Sequence, residues 1–441
     1  MAAMQRGLKV DLDHFERMSH VLEHDMDRIT EEVRQLTGHY INLDSGDQVA
    51  DLLFKKLGLK QARPKLTKSE DRESVEHEVL VAIQHDHQVV PKILNYKELS
   101  KLKGTYVDPM PKLARRVEHG HWRMFPNLKD TRVPSGRYNC AEPNLLAMPN
   151  RTERGREVCE GFITDDGWTY LSVDESQIEP RVVAHRSQDP ALMAVYENEE
   201  DIYSDFAISA FSLDDKRFRD QEGWHYPGVD KKRHRFPSKT CTLAAIYDVT
   251  SIGLLEQMPV VCKHCGREGA DHRVQDERRA PCPLFESLWN EANCQEIINA
   301  FYIKYRGILD MRRRDHQRAR RYGYVWDDWG RLLHCTGVRS TLEWVVSAVL
   351  RELGNFPIQA TAQGTVKVSQ AEVYDLMTEC HMLDVAHPVL QVHDELLFEV
   401  REDVADDLAY MVKEVFEHCV QLSVPIKAGS ATAHNWGALV K

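Results

Sequence analysis

The chain has 441 residues, a formal net charge of −12, 42% apolar and 29% charged residues, the proportions of a folded protein too long for one ordinary core. No run approaches the roughly 18 uncharged apolar residues of a membrane-spanning helix, and the opening MAAMQRGLKVDLDHF turns charged before an apolar signal core develops. Ten cysteines in this length fall far below a disulfide scaffold, so the expectation is a reduced, cytoplasmic protein (host cytoplasm if viral) with no membrane partner. The negative total, taken alone, argues against a protein that coats nucleic acid, but not against one that grips it locally, because salt screens charges beyond about 8–10 Å.

Along the chain, Leu12, Phe15, Met18, Leu22, Ile29, Val33 and Leu36 recur every three or four residues and predict a long helix stopped at Gly38. Lys55, Lys56, Lys60, Arg63, Lys65 and Lys68 make 51–68 basic, a pattern that a solvated helix face also produces. A second helix is expected over 88–103, so the first hundred residues read as a helical subdomain with basic tips. WTYLSVD (168–174) has the mixture of a half-buried strand, and 190–350 is mostly helical and polar. VLQV (389–392) and LLFEV (396–400), separated by His393, Asp394 and Glu395, predict a tight hairpin with an acidic turn. Val404, Leu408, Met411, Val412, Val415 and Cys419 then mark an amphipathic helix with Asp403 as its cap. No internal repeat or low-complexity tract is visible.

An acidic residue at the end of an apolar strand is costly unless exposed or neutralised. Asp174 and Asp394 both occupy such positions. If their strands share a sheet, the two carboxylates converge, and such a pair suits two hard cations in phosphoryl transfer. Turn residues or ion-pair partners account for the same letters. Residues 235–247, RFPSKTCTLAAIY, place Arg235, Lys239, Leu243 and Tyr247 four apart, on one stripe of a helix. Pro237 fits a first turn. Arg235 and Lys239 near a helix start would hold a triphosphate, although an ordinary amphipathic helix has the same spacing.

The surrounding letters go further. DESQIEPRVVAH (174–185) and HDE (393–395) resemble motifs A (Asp-Tyr-Ser-Gln-Ile-Glu-Leu-Arg) and C (His-Asp-Glu) of family A DNA polymerases, the bacterial DNA polymerase I group. SGRYNCAEPNLLAMPNRTERGREV (135–158), LNYKELSKLKGTYVDPMPKL (94–113), DPALMAVYENEEDIY (189–203) and ATAQGT (360–365) resemble further family segments in order, and the 235–247 stripe resembles motif B. The resemblance implies Asp174 and Asp394 as ligands of two Mg²⁺ ions, with the Glu175 backbone carbonyl helping and Glu395 assisting nearby. It implies Glu179 as the steric gate against a ribose 2′-hydroxyl. Gln177 would join Arg235, Lys239, Leu243 and Tyr247 around the nucleotide. Arg137 and Gln363 would check the minor groove at the primer end, where acceptors are common to all base pairs, with His393 and Arg181 as further DNA contacts.

The sequence departs from the family at four places: Glu175 replaces an aromatic, Pro180 a leucine, Leu243 the aromatic facing the incoming sugar, and Asp248 a glycine. Pro180 is expected to remove a backbone donor and bend the start of its helix. The segment 259–285 reads as an insertion, in which Cys262, Cys265, His272 and Cys282 would form a Cys₃His zinc site, with His264 and Cys294 as alternatives and free thiols as the competing explanation. Residues 311–321 hold six arginines, either a surface helix or template contacts, and Trp326 and Trp329 beyond them are core or template-stacking residues.

The implied fold is α+β, a right hand with an antiparallel palm sheet and mostly helical fingers and thumb. Its thumb would span 1–110, its palm 111–190 and 345–441, and its fingers 191–344. The implied function is template-directed addition of dNMP to a primer 3′-OH, in DNA replication or repair. The partners would be primer–template DNA and dNTPs. The expected enzyme is a monomer of phage type without a 3′→5′ exonuclease domain, which would be a separate chain alongside other replisome factors. The rivals are a single-subunit phage-type RNA polymerase, against which Glu179 and the His393–Asp394–Glu395 triplet speak, and a non-catalytic polymerase-derived DNA-binding protein.

Overall fold

A computed structural model describes residues 6–61, 73–84, 86–117, 120–150, 152–258 and 288–439. The helix Leu12–Thr37 forms as its spacing predicts, with Phe15, Met18, Leu22, Ile29 and Val33 buried on one stripe. Asp11 caps it by accepting the His14 N–H at 3.0 Å. Gly38 closes it at φ 70°, where only glycine is unstrained, and donates its N–H to the Arg34 carbonyl. This helix packs against Val89–Leu102, the expected second helix. Lys55 and Lys56 are exposed and both pair with Asp51, at 3.4 and 3.6 Å, so there the solvated-face explanation holds. Arg63, Lys65 and Lys68 lie outside the described residues.

A short strand precedes the long helix. Leu8–Val10 pairs with both Trp122–Met124 and Phe162–Ile163, in a four-stranded antiparallel sheet completed by Arg115–Arg116. Three residues are too few for alternation to register in sequence, yet Leu8 and Val10 are buried. A second four-stranded antiparallel sheet has the order Ala386–Val392, Glu395–Arg401, Trp168–Glu175, Ala428–Ala433. Its central strand, expected to be half-buried, is covered on both faces. Leu171 and Val173 meet Val373, Met377, Leu408 and Val412 of two helices. Tyr170 joins the core shared with the N-terminal unit. Asp403 does not cap the helix Ala405–His418; it pairs with Arg401, and the helix starts at Val404 without a side-chain cap.

Between these sheet segments the chain is mainly helical, around a core that includes Phe206, Phe301 and Tyr305. Two short hairpins interrupt the helices, Phe218–Asp220 with Gly223–His225 and Tyr324–Trp326 with Leu332–His334. The arginine run falls in helix Arg306–Tyr322 and is not one uniform basic face. Arg312 is buried and donates to the carbonyls of Ala245 and Ile246, while Arg313 and Arg318 pair with Asp310 and Asp315. The helix Glu343–Glu379 runs 37 residues and meets the second sheet through Val373 and Met377. Trp329 crosses it, donating Nε1–H to the Thr361 carbonyl at 3.0 Å over the bare backbone of Gly364.

Candidate active site

Strand alternation decides which acids meet. Asp174 stands opposite Glu395 on one neighbouring strand and opposite Gly429 on the other. The hairpin is one residue tighter than expected: Val392 pairs with Glu395, leaving His393 and Asp394 as the turn, with His393 at φ 57°. The Glu175 N–H donates to the Asp394 carbonyl at 3.1 Å, which ties that turn to the end of the central strand. Asp174, Asp394 and His393 therefore open onto one cleft, with a volume of about 540 Å³. Glu395 accepts a hydrogen bond from the Ser172 hydroxyl of the neighbouring strand.

Glu175 lies on the opposite face of the strand, fully buried. Its Oε1 accepts from the Ser369 hydroxyl at 3.0 Å, and its Oε2 has no hydrogen-bond partner among the described residues. Burial, reinforced by the charges of Asp394 and Asp174, pushes this carboxyl up to about 8, so it is mostly protonated at neutral pH.

The opposite wall comes from helix Phe236–Ile246 and the residue before it. Arg235, Lys239 and Leu243 all line the cleft, with Pro237 in the first turn. Arg235 is held by Asp201 through two hydrogen bonds, at 2.8 and 3.1 Å. Tyr203 lies beneath both cations, 5.4 Å from the Arg235 guanidinium and 5.6 Å from the Lys239 ammonium. Tyr247 caps the helix and donates its hydroxyl to Glu179, whose other oxygen pairs with Arg137. Burial raises the Glu179 carboxyl, against the lowering effect of Arg137. Gln177 takes a left-handed conformation at the start of helix Ile178–Ser187 and accepts the Tyr196 hydroxyl at 3.3 Å. Gln363 projects from helix Glu343–Glu379 into the cleft wall, buried, with its Nε2 lacking a partner among the described residues.

The family model for DNA polymerase family A matches residues 12–438. The chain belongs to DNA polymerase family A. It is 30% identical over 431 residues to the thermostable DNA polymerase I of Thermus filiformis, 29% over 432 residues to that of Thermus aquaticus, and 26% over 431 residues to DNA polymerase I of Bacillus subtilis. Those matches cover 98% of this chain and 43–46% of each relative, so the chain spans less than half the length of the curated relatives it matches. A solved structure, the POL domain of Pol1 from M. smegmatis in complex with DNA primer–template and dNTP, is similar with a TM-score of 0.82 at 25% identity. That match covers 98% of this chain and 68% of the other. The α+β right-hand fold expected from the motifs is the fold found.

Against that family A frame, each departure has a local explanation or consequence. Pro180 is the third residue of helix Ile178–Ser187, and the first backbone bond of that helix runs from Arg181 N–H to Gln177. The donor that the proline lacks is therefore one the helix does not use. Asp248 takes the left-handed φ of 60°, a conformation aspartate tolerates in place of glycine, and pairs with Arg312 at 3.3 Å. Leu243 leaves the cleft without a ring at that point.

Arg181 is a correction. It is buried, with its guanidinium over the Tyr196 ring at 4.5 Å and donating to the carbonyls of Ser176 and Pro425, so it is committed inside the protein rather than offered to DNA. Cys262, Cys265, His272 and Cys282, with His264, lie outside the described residues; Cys294 is buried in the helical core with Phe206, Phe301 and Tyr305. Asp201, Tyr203 and Gln359 belong to the site and were not anticipated. The acidic run before Tyr203 was the available signal, but only the fold brings it under Arg235.

Proposed function

We propose that this chain extends the 3′ end of a DNA primer, adding dNMP from dNTP under the direction of a template. The observation carrying this reading is that Asp174 and Asp394, 220 positions apart in the chain, open onto the same cleft as Arg235, Lys239 and Gln363. Among the described residues no three His, Cys, Asp or Glu side chains gather into a protein-only metal cage. Two carboxylates facing an open cleft fit Mg²⁺ ions, which take one or two carboxylates and complete their shells with water and substrate phosphates. Two such ions, held by Asp174 and Asp394, would offset charge on the reacting phosphate and favour attack by the primer 3′-hydroxyl.

The chain's own side chains account for the rest of the chemistry. Lys239 and Arg235 meet the triphosphate, which competes with Asp201 for the Arg235 guanidinium. Glu179, pinned between Tyr247 and Arg137, holds bulk where a ribose 2′-hydroxyl would lie. Gln363, whose Nε2 has no partner among the described residues, and Arg137 are the donors suited to minor-groove acceptors of the terminal base pair. His393 sits at the turn beside the primer end.

The deciding experiment is primer extension with Mg²⁺ by the wild type, Asp174→Asn and Asp394→Asn, beside binding of the same primer–template by fluorescence anisotropy. Either substitution is expected to slow extension by about a thousandfold or more while binding changes little. Near wild-type extension in either variant defeats the assignment. Preferential use of rNTPs would favour an RNA polymerase, and binding without extension by the wild type would favour a non-catalytic role.

A further inference from the structure

The fingers hairpin formed by Tyr324–Trp326 and Leu332–His334 turns Val325 into the core and its other face to solvent. On that outer face Tyr322, Tyr324 and Trp326 form a nearly equilateral triangle, with ring centroids 6.0, 6.3 and 6.1 Å apart. His334, opposite Tyr324 in the strand pair, adds an edge contact at 5.5 Å. Tyr322 is 47% exposed. Two arginines from the end of the preceding helix border the rings: the Arg318 guanidinium lies 4.7 Å from the Trp326 centroid, and that of Arg321 lies 5.3 Å from Tyr322.

The charge around this facet is positive. Arg320 and Arg321 are exposed and pair with no carboxylate among the described residues. Of the nearby acids, Asp327 pairs with Arg331 and Asp328 with Arg186, while Asp315 pairs with Arg186 and with Arg318 of the facet itself. The hairpin also connects to the cleft. Its turn carries Trp329, seated on Gly364, and Arg331 donates to the carbonyls of Ala360 and Ser135, on either side of the Arg137–Gln363 wall.

Partly exposed aromatic rings beside the free positive charge of Arg320 and Arg321 are what an unstacked nucleic acid strand requires: each base supplies a π face, and each phosphate a negative charge. Duplex DNA hides its base faces within its own stack and would use only the arginines. We propose that this facet binds single-stranded DNA, namely the unpaired template strand on its way to the cleft. The identity of that strand rests on the polymerase reading; the affinity for single strands does not.

The test is fluorescence anisotropy without dNTP. The probes are an oligothymidylate of about 16 nucleotides and two primer–templates, with 5′ overhangs of about one and about twelve nucleotides. Tyr322→Ala combined with Trp326→Ala is expected to weaken binding of the oligothymidylate and the long overhang about tenfold or more, and to leave the short overhang within about twofold. Because Trp326 is partly buried, the exposed pair Tyr322→Ala with Arg321→Ala is measured beside it. That pair should show the same selectivity, with a salt dependence shallower by about one phosphate contact. Oligothymidylate should also quench tryptophan fluorescence of the wild type. Unchanged affinity in the exposed pair, or equal loss on both overhangs, overturns the assignment; the first result would leave the facet to a protein partner. Extension persisting in Asp174→Asn would defeat the polymerase reading and leave this binding result standing.

Discussion

Replacing Glu175 by glutamine tests the electrostatics beneath the catalytic floor. The carboxyl is fully buried, its Oε2 has no partner among the described residues, and two acidic neighbours raise it further, so it is shifted from 4.5 to about 8. Between those values the folded chain keeps a proton that the unfolded chain has lost. The unfolded state binds fewer protons, and stability must therefore fall as pH rises. With about 1.4 kcal/mol for each pH unit fully spanned, this one group removes about 3–4 kcal/mol between pH 5 and pH 8. Glutamine keeps the shape and cannot ionise. Urea unfolding of wild type and Glu175→Gln, in EDTA at pH 5, 6, 7 and 8, should give similar stabilities at pH 5 and a widening advantage for the variant towards pH 8. Parallel stability curves across that range would refute the reasoning, because they would mean that the carboxyl ionises in the fold as readily as in the unfolded chain.

Two further substitutions probe the scaffold. Glu399 is buried and accepts from Arg123 at 2.6 and 3.0 Å and from Arg6 at 2.8 Å. Glu399→Ala leaves the buried Arg123 with Asp165 and the Gly7 carbonyl as partners and should cost about 3–5 kcal/mol in urea unfolding; a loss below about 1 kcal/mol would show that the network is not a buried ion pair in solution. At Gly364 an added β-carbon falls on the Trp329 indole. Gly364→Ala should therefore destabilise by about 1–3 kcal/mol and alter tryptophan fluorescence, and an unchanged melting temperature and spectrum would mean that Trp329 does not rest there.

Much of the site was legible from the chain because its parts are local. Asp174 sits within a strand-and-helix segment, Asp394 within a hairpin turn, and Arg235, Lys239 and Leu243 on one helical stripe; neighbours along a chain imprint themselves as spacing. The same locality explains the long N-terminal helix and its glycine stop. Sequence reading failed where a residue's role depends on a distant partner. Arg181 carries the motif's arginine, yet carbonyls at Ser176 and Pro425 claim it. Asp403 stands where a cap belongs, yet Arg401 takes it.

By itself the sequence determined the family, the order of the motifs and the chemical types available for catalysis. Only the tertiary structure decided which carboxylates share a cleft and which one is buried neutral. It also set which arginines stay outside and which rings form a surface. The physical reason is that a side chain's charge state and availability are set by its surroundings. Asp174 and Glu175 are adjacent acids on one strand, but alternation sends one to the open cleft and the other under two helices.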